Sequence, residues 1–289
     1  MKTPTRLAAV ALVSALGLQP AARLHAATTI DATNYFAWGA NLGWINWRGD
    51  NTNGAVIGEY VCSGYIYAAN VGWINLGSGS PTNGIHYQNL SAGDFGVNHD
   101  GAGNLRGYAY GANIGWIAFE TNGAPAVDLG TGNLSGYVWS ANCGWICLSN
   151  AMAYVQADTI QQGALAPDGL PIAWLLANFG STNVDAGADP DHDGMSNQQE
   201  YLAGTNPNDS SDSLRITSIV RGGTLPTYVT LQWSSKPTRF YTIQHRTNLD
   251  ASSTWLDLYA PALGISNGLV DDRNSSDFYR IEVSRPLMP

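Results

Sequence analysis

The chain has 289 residues, 44% of them hydrophobic, and sets 13 Lys and Arg against 22 Asp and Glu for a formal net charge of −9. That is enough apolar material for two or three cored domains. With only 12% of residues charged and acid in excess, the composition excludes the basic patch that nucleic acid or an anionic membrane surface requires.

In chain order, Lys2 and Arg6 precede an apolar run from Leu7 to Leu18 and small residues at Ala26-Ala27. This is the layout of a secretory signal peptide, too short to span a membrane. Residues 1–27 are therefore expected to be removed, leaving a secreted or cell-surface protein that begins near Thr28. Cys62, Cys143 and Cys147 allow at most one internal disulfide there. Spacing does not choose between Cys62 with Cys147, Cys62 with Cys143, and a free or intermolecular thiol.

One stretch then occurs four times. Tyr35-Phe36-Ala37-Trp38-Gly39-Ala40-Asn41-Leu42-Gly43-Trp44-Ile45 returns as Gly64 to Ile74, Gly107 to Ile117 and Gly136 to Ile146, with Trp44, Trp73, Trp116 and Trp145 spaced 29, 43 and 29 apart. Two similar pairs are thus offset by 72 residues. Each copy joins two short apolar runs through Ala-Asn-x-Gly, where Gly accepts φ > 0 and Asn tolerates left-handed backbone and bonds its own downstream amides. Four β-hairpins are predicted, forming a meander that is solenoid- or barrel-like over residues 28–160.

Period two sorts the second strand of each hairpin into faces. Ile45/Trp47, Ile74/Leu76, Ile117/Phe119 and Ile146/Leu148 make a bulky core face. The opposite face holds Trp44/Asn46, Trp73/Asn75, Trp116/Ala118 and Trp145/Cys147. Its tryptophans are expected to pack on glycines of a neighbouring repeat. The alternative is a surface where indoles stack on sugar rings, with Trp44, Trp73, Trp116, Trp145, Asn46 and Asn75 as the ligand-binding candidates.

Residues 161–212 are expected to form a linker of helix and metal loop. Pro171 to Gly180 has Pro in the first turn, apolar residues at 172, 175, 176 and 179, and a terminal Gly, which predicts a short amphipathic helix. The acid is concentrated just beyond, with seven carboxylates and no Lys or Arg over residues 185–212. Asp189, Asp191, Asp193, Met195 (by its carbonyl), Asn197 and Glu200 fill positions 1, 3, 5, 7, 9 and 12 of an EF-hand-type loop, with Gly194 at position 6. Hard carboxylate oxygens in this order point to Ca²⁺, and His192 falls on a non-ligand position.

Asp189 to Pro207, with the tail Tyr201-Leu202-Ala203-Gly204-Thr205-Asn206-Pro207, resembles the thrombospondin-type-3 and dockerin-like calcium repeats of secreted bacterial proteins. That resemblance implies a preceding loop. Asp168-Gly169-Leu170-Pro171-Ile172-Ala173-Trp174 matches its end, but Ala164, Ala166, Ile172 and Leu175 stand at its ligand positions, so one ion is expected rather than two. The Gly-Tyr-x-Trp-x-x-Asn-x-Gly-Trp-Ile repeats are similar to repeats in secreted bacterial proteins, a similarity that supplies no activity.

Residues 213–289 contain five alternating runs, Leu214–Val220, Val229–Trp233, Phe240–Gln244, Trp255–Leu258 and Phe278–Val283, which predict a small β-sandwich resembling fibronectin-type-III modules. The fold class is therefore mainly β throughout. Arg48-Gly49-Asp50 spells an integrin-binding tripeptide where a turn is needed. Asp94, Asp100, Glu120 and Asp128 are the carboxylates available for a glycosidase pair, and no catalytic motif accompanies them. The expected function is that of a non-catalytic, calcium-stabilised structural or adhesive protein with an unknown protein or glycan partner, self-associating through uncovered edge strands. Carbohydrate binding and polysaccharide hydrolysis are the alternatives.

Overall fold

The computed structural model describes residues 28–50, 52–222, 228–250, 253–271 and 278–288, and the expected signal peptide lies outside them. The described chain is mainly β with two α-helices. Contacts divide it into two compact units between Val184 and Asp185, inside the 161–212 segment, so that the helix belongs to the first unit and the acidic loop to the second.

In the first unit the four repeats are hairpins: β1 (Ile30–Gly39) with β2 (Gly43–Asn46), β3 (Cys62–Ala68) with β4 (Gly72–Ser78), β5 (Leu105–Gly111) with β6 (Gly115–Phe119), and β7 (Tyr137–Ser140) with β8 (Gly144–Cys147). Each hairpin pairs with the next, Ile45 opposite Ala68, Ile74 opposite Gly111 and Ile117 opposite Ser140. Ile146 then pairs with Gly39 and closes the eight strands into an antiparallel barrel. A closed barrel has no edge strand. Within the ring the repeat hairpins therefore present no edge strand, while residues 56–57, 97–99 and 155–157 form short strands outside it.

The turns explain why closure works. In each, the residue after Asn donates its N–H back to the last strand residue, as Val71 does to the Ala68 carbonyl at 3.1 Å. The following glycine, Gly43, Gly72, Gly115 or Gly144, has φ between 71° and 82°. This is an i to i+3 turn followed by a left-handed residue, a position that only Gly enters without cost. The asparagines do not bond their own amides as predicted. Asn70 Nδ2 donates to the Leu42 carbonyl at 3.1 Å, Asn113 to Val71 at 3.0 Å, Asn142 to Ile114 at 2.9 Å and Asn41 to Cys143 at 3.1 Å. Four turns are linked head to tail in a ring.

The barrel interior is filled by the predicted core face, and Ile45, Ile74, Ile117 and Ile146 are at most 2% exposed. Opposite them stand Ala37, Ile66, Ala109 and Val138, all buried. Small and large alternate around the ring as a tapering interior demands, and the 72-residue offset puts the two small ones in copies 1 and 3. The residue plugging each turn compensates: Leu42 follows Gly39 and Ile114 follows Gly111, whereas the smaller Val71 and Cys143 follow Ala68 and Ser140. A Cβ on Gly111 would lie 2.9 Å from Ile114 Cγ1, which is why that position is glycine.

The linkers are closed by aspartates. Asp50 accepts the N–H groups of Thr52 and Asn53, Asp100 those of Ala102 and Asn104, and Asp128 those of Gly130 and Thr131, all at 2.7–2.9 Å. Arg48 donates to the Ile30 carbonyl, so both charged ends of Arg48-Gly49-Asp50 are used by the fold. Helix α1 (Ile172–Phe179) starts after Pro171 and ends at Gly180 in the left-handed conformation. Leu175 and Ala166, at ligand positions of the expected first calcium loop, are buried apolar residues instead.

In the second unit, α2 (Asn197–Ala203) precedes two sheets. One pairs β9 (Ile216–Gly222), β10 (Tyr228–Trp233) and β12 (Asn267–Asp271); the other pairs β11 (Phe240–Arg246) with β13 (Phe278–Ser284) and two short strands. Val229, Leu231 and Trp233 from the first sheet meet Tyr241, Ile243, Tyr279, Ile281 and Val283 from the second in one core. Met195 and Ala203 belong to that core, so the acidic loop and α2 are built into the unit. Arg239 fastens the end of α2, donating to the carbonyls of Tyr201 at 3.0 Å and Leu202 at 2.8 Å, where a cation suits the helix C-terminus.

The cysteines are free. Cys62 lies inside the barrel unit, where burial pushes its thiol up to about 12. Cys143 plugs a turn, and Cys147 stands on the outward Trp face of β8. The pairing of Cys62 with either does not form.

Candidate functional site

The loop at 189–200 is shaped by its own backbone. Each aspartate gives one oxygen to a loop amide: Asp189 Oδ2 accepts from Gly194 at 3.0 Å, Asp191 Oδ1 from Asp193 at 3.2 Å and Asp193 Oδ1 from Met195 at 2.7 Å. The other oxygens turn inward. Asp189 Oδ1, Asp191 Oδ2 and Asp193 Oδ2 are buried without a hydrogen-bond partner, as are Asn197 Oδ1 and both Glu200 oxygens. One ligand atom from each of the three aspartates fits within 4.8 Å of the others. Gly194 takes the φ of +96° that the sharp turn needs.

Two elements place the remaining donors. A capping box of Ser196 and Gln199 starts α2, with the Ser196 N–H donating to Gln199 Oε1 at 2.8 Å, and this fixes Asn197 and Glu200 in the first turn. Asn197 also donates through Nδ2 to the Asp185 carbonyl at 2.8 Å, which leaves its Oδ1 facing the loop interior. Ser196 and Gln199 carried a sequence signal, Ser-x-x-Gln before an apolar run, that the loop spacing overshadowed. Met195 points its side chain away into the core, where its sulfur accepts the Leu214 N–H at 3.2 Å. His192 is exposed.

Buried oxygens without partners cost roughly 1–3 kcal/mol each, more when charged. Burial first, opposed by the nearby Thr205 hydroxyl and reinforced by the charges of Asp191, Asp193 and Asp189, pushes Glu200 up to about 8. The donor set is all oxygen, which fits a hard divalent cation of Ca²⁺ type and no thiolate or imidazole metal.

The tryptophan face proves to be the outside of the barrel. Trp44, Trp73, Trp116 and Trp145 are 46%, 41%, 45% and 48% exposed, so they are not packed away between repeats. The expected support by glycine is partial: Trp73 Cζ3 lies 3.0 Å from where a Gly49 Cβ would be, and Trp145 Cζ3 lies 3.1 Å from that of Gly123. Each indole meets the aromatic opposite it in the hairpin, edge to face at 4.7 Å between centroids for Trp38–Trp44, 5.0 Å for Tyr67–Trp73 and 4.9 Å for Tyr110–Trp116, and tilted at 5.1 Å for Trp139–Trp145. A third ring flanks each pair, Phe36, Tyr65, Tyr108 or Tyr137. Together these rings form a belt around the barrel. The first-strand aromatics were visible as an alternating pattern, but the face they share with the tryptophans was not assigned to the outside.

The amides are less available than the sugar-stacking alternative requires. Asn46 Oδ1 accepts the Arg48 N–H at 2.8 Å while its Nδ2 donates to the Gly49 carbonyl at 3.3 Å, and Asn75 Oδ1 accepts the Gly77 N–H at 2.8 Å. Asp94, Asp100 and Asp128 are likewise engaged with their own loops, and the Gln88 N–H foremost holds Asp94 below the usual carboxylate range. Glu120 is exposed before a short 3-10 turn. Among the described residues no helix is long and apolar enough to cross a membrane. Comparison with protein-family models, with curated proteins and with solved structures gave no match for this chain.

Proposed function

We propose that the chain is an exported, non-catalytic adhesive protein of the cell surface or extracellular matrix, stabilised by Ca²⁺, whose contact surface is the aromatic belt of the barrel. The observation that carries this reading is the exposure of all four repeated tryptophans, each with an inclined aromatic neighbour, on the outside of a closed barrel. Exposed aromatic patches of this kind are contact surfaces. The belt faces outward on every side, so one flat partner covers only part of it, and several contacts at once reinforce one another. Seven of the eight barrel strands run four to seven residues, shorter than the roughly 9–11 that cross a bilayer.

The calcium ligands in this reading are Asp189, Asp191, Asp193, the Met195 carbonyl, Asn197 and Glu200. Extracellular sites of this class bind at about 10⁻⁴–10⁻³ M, which suits constant occupancy outside a cell and not a cytosolic switch. The ion offsets the mutual repulsion of the four carboxylates and satisfies the orphan oxygens, so its effect is to hold the loop and α2 against the core they share with the two sheets.

The test is retention on isolated cell envelopes in the presence of calcium. The chain from Thr28 is expected to be retained, and a variant with Trp44, Trp73, Trp116 and Trp145 all changed to Ser to be released while keeping its fold. Equal retention of both would remove the belt as the contact surface; retention of neither would remove the adhesive reading. Carbohydrate recognition is the second reading, favoured by one local departure from fourfold symmetry.

A further inference from the structure

The repeat is interrupted once. Trp73 and Trp116 are 43 residues apart where the other neighbours are 29 apart, so the linker between β4 and β5 carries 14 additional residues. They fold into a fixed structure. Asp94 accepts the Thr82 N–H at 3.1 Å, its hydroxyl at 2.9 Å and the Gln88 N–H at 3.0 Å. Asn89 donates its N–H to the Asp94 carbonyl at 3.0 Å, Asp94 donates to the Ser91 carbonyl at 3.2 Å, and Asn89 Oδ1 accepts the Gly96 N–H at 3.0 Å. Buried Tyr87 anchors the segment by donating its hydroxyl to the Cys62 carbonyl at 3.1 Å.

This insertion walls one of the four aromatic platforms. Phe95 packs edge-on against Trp116 at 5.1 Å and stands 6.3 Å from Tyr110. Between the turn and the third hairpin is a cleft of about 430 Å³ lined by Asn89, Leu90, Ser91, Phe95, Tyr108 and Trp116, within the ~300–1,000 Å³ of small-ligand sites. Leu90, at the tip, is 88% exposed, an apolar side chain that the fold does not cover.

We infer that this cleft binds a neutral saccharide, with the apolar C–H face of a pyranose unit on Trp116 and Tyr108 and its hydroxyls toward Ser91 and Asn89. The inference rests on the belt being the contact surface and names the ligand class for one part of it. No Lys, Arg, Asp or Glu lines the cleft, which selects an uncharged ligand. Asn89 uses one amide hydrogen, toward the Tyr87 carbonyl, and one lone pair, so a donor and an acceptor remain. A protein partner needs some 800 Å² of its own surface covered, more than a cleft of this size offers.

The test is calorimetric titration of the chain from Thr28 with three neutral hexasaccharides, cellohexaose, mannohexaose and N-acetylchitohexaose. At least one is expected to bind at one site per chain. Trp116→Ala is expected to weaken it about tenfold or more, as for a central aromatic anchor, and Trp73→Ala, on an equivalent platform without the wall, less than about twofold. The two tryptophans are similarly exposed, so any common folding cost cancels. Absence of binding to all three would overturn the saccharide site while leaving envelope retention to judge the adhesive reading. Equal weakening by both variants, or four equal sites per chain, would overturn the assignment to the cleft.

Discussion

In the barrel each turn asparagine finds the carbonyl of the turn before it and the first finds that of the last, whereas in the loop at 189–200 six buried oxygens find no partner at all. Across the barrel strands and turns described, only Trp47 Nε1 and Asn133 Oδ1 are in that position. The difference separates a region whose repeats satisfy one another's polar groups from one that leaves a cluster of buried oxygens unsatisfied by the rest of the chain. In the proposed reading it also separates their roles: the barrel offers its aromatics as a contact surface, and the loop, with its ion, holds a core in place.

The strongest way to break the contrast is to damage the barrel interior alone. Ile117→Ala is expected to destabilise the first unit by about 2–5 kcal/mol in denaturant unfolding, as for other buried Ile to Ala changes, with calcium affinity unchanged. Next comes the turn compensation. Gly111→Ala is expected to cost about 1–3 kcal/mol by crowding Ile114, and adding Ile114→Val, which copies the second repeat, to recover part of it. Each of Asn41→Ala, Asn70→Ala, Asn113→Ala and Asn142→Ala is expected to cost about 1 kcal/mol. Their equality is the informative outcome, since in an open array Asn41 would have no partner.

The smallest effect at neutral pH concerns His99. Its Nδ1–H donates to the Gly58 carbonyl at 2.9 Å and its Nε2 accepts the Gly103 N–H at 3.1 Å, so both nitrogens are used in the neutral form. Burial, outweighing the Gly58 carbonyl and the charges of Asp100 and Glu59, holds its pKa below the ordinary imidazole value of about 6.5. The folded state then binds fewer protons than the unfolded one, so stability is complete above that value and falls as pH drops below it. Midpoints followed from pH 7.5 to 5 are expected to fall with a slope that His99→Gln lessens.

Much of the local structure was legible because period two and turn chemistry are local. The core face at Ile45, Ile74, Ile117 and Ile146, the hairpin turns, the Pro171 and Gly180 ends of α1 and the order of oxygen-bearing side chains at 189–200 all follow from neighbours in sequence. Closure was not, since it depends on pairing Gly39 with Ile146 across the whole repeat region. Nor was the side on which the tryptophans stand. Both faces of the strand are apolar, and what decides is the volume inside an eight-stranded barrel, which side chains just fill: four isoleucines with alternating small and larger aliphatic partners fit, and four indoles do not. The insertion after Trp73 was visible as a spacing of 43, but its placement over Trp116 is set by Asp94 and Asn89 bonding within the loop.

The most direct test of the contrast is thermal unfolding of the chain from Thr28 with calcium and with chelator, beside Glu200→Gln. Calcium is expected to raise the transition of the C-terminal unit, by about 2.7 kcal/mol at a hundred times its Kd, to leave the barrel transition where it was, and to move neither transition in the variant. A C-terminal transition indifferent to calcium, or a barrel transition that moves with it, would contradict the division drawn between the two regions.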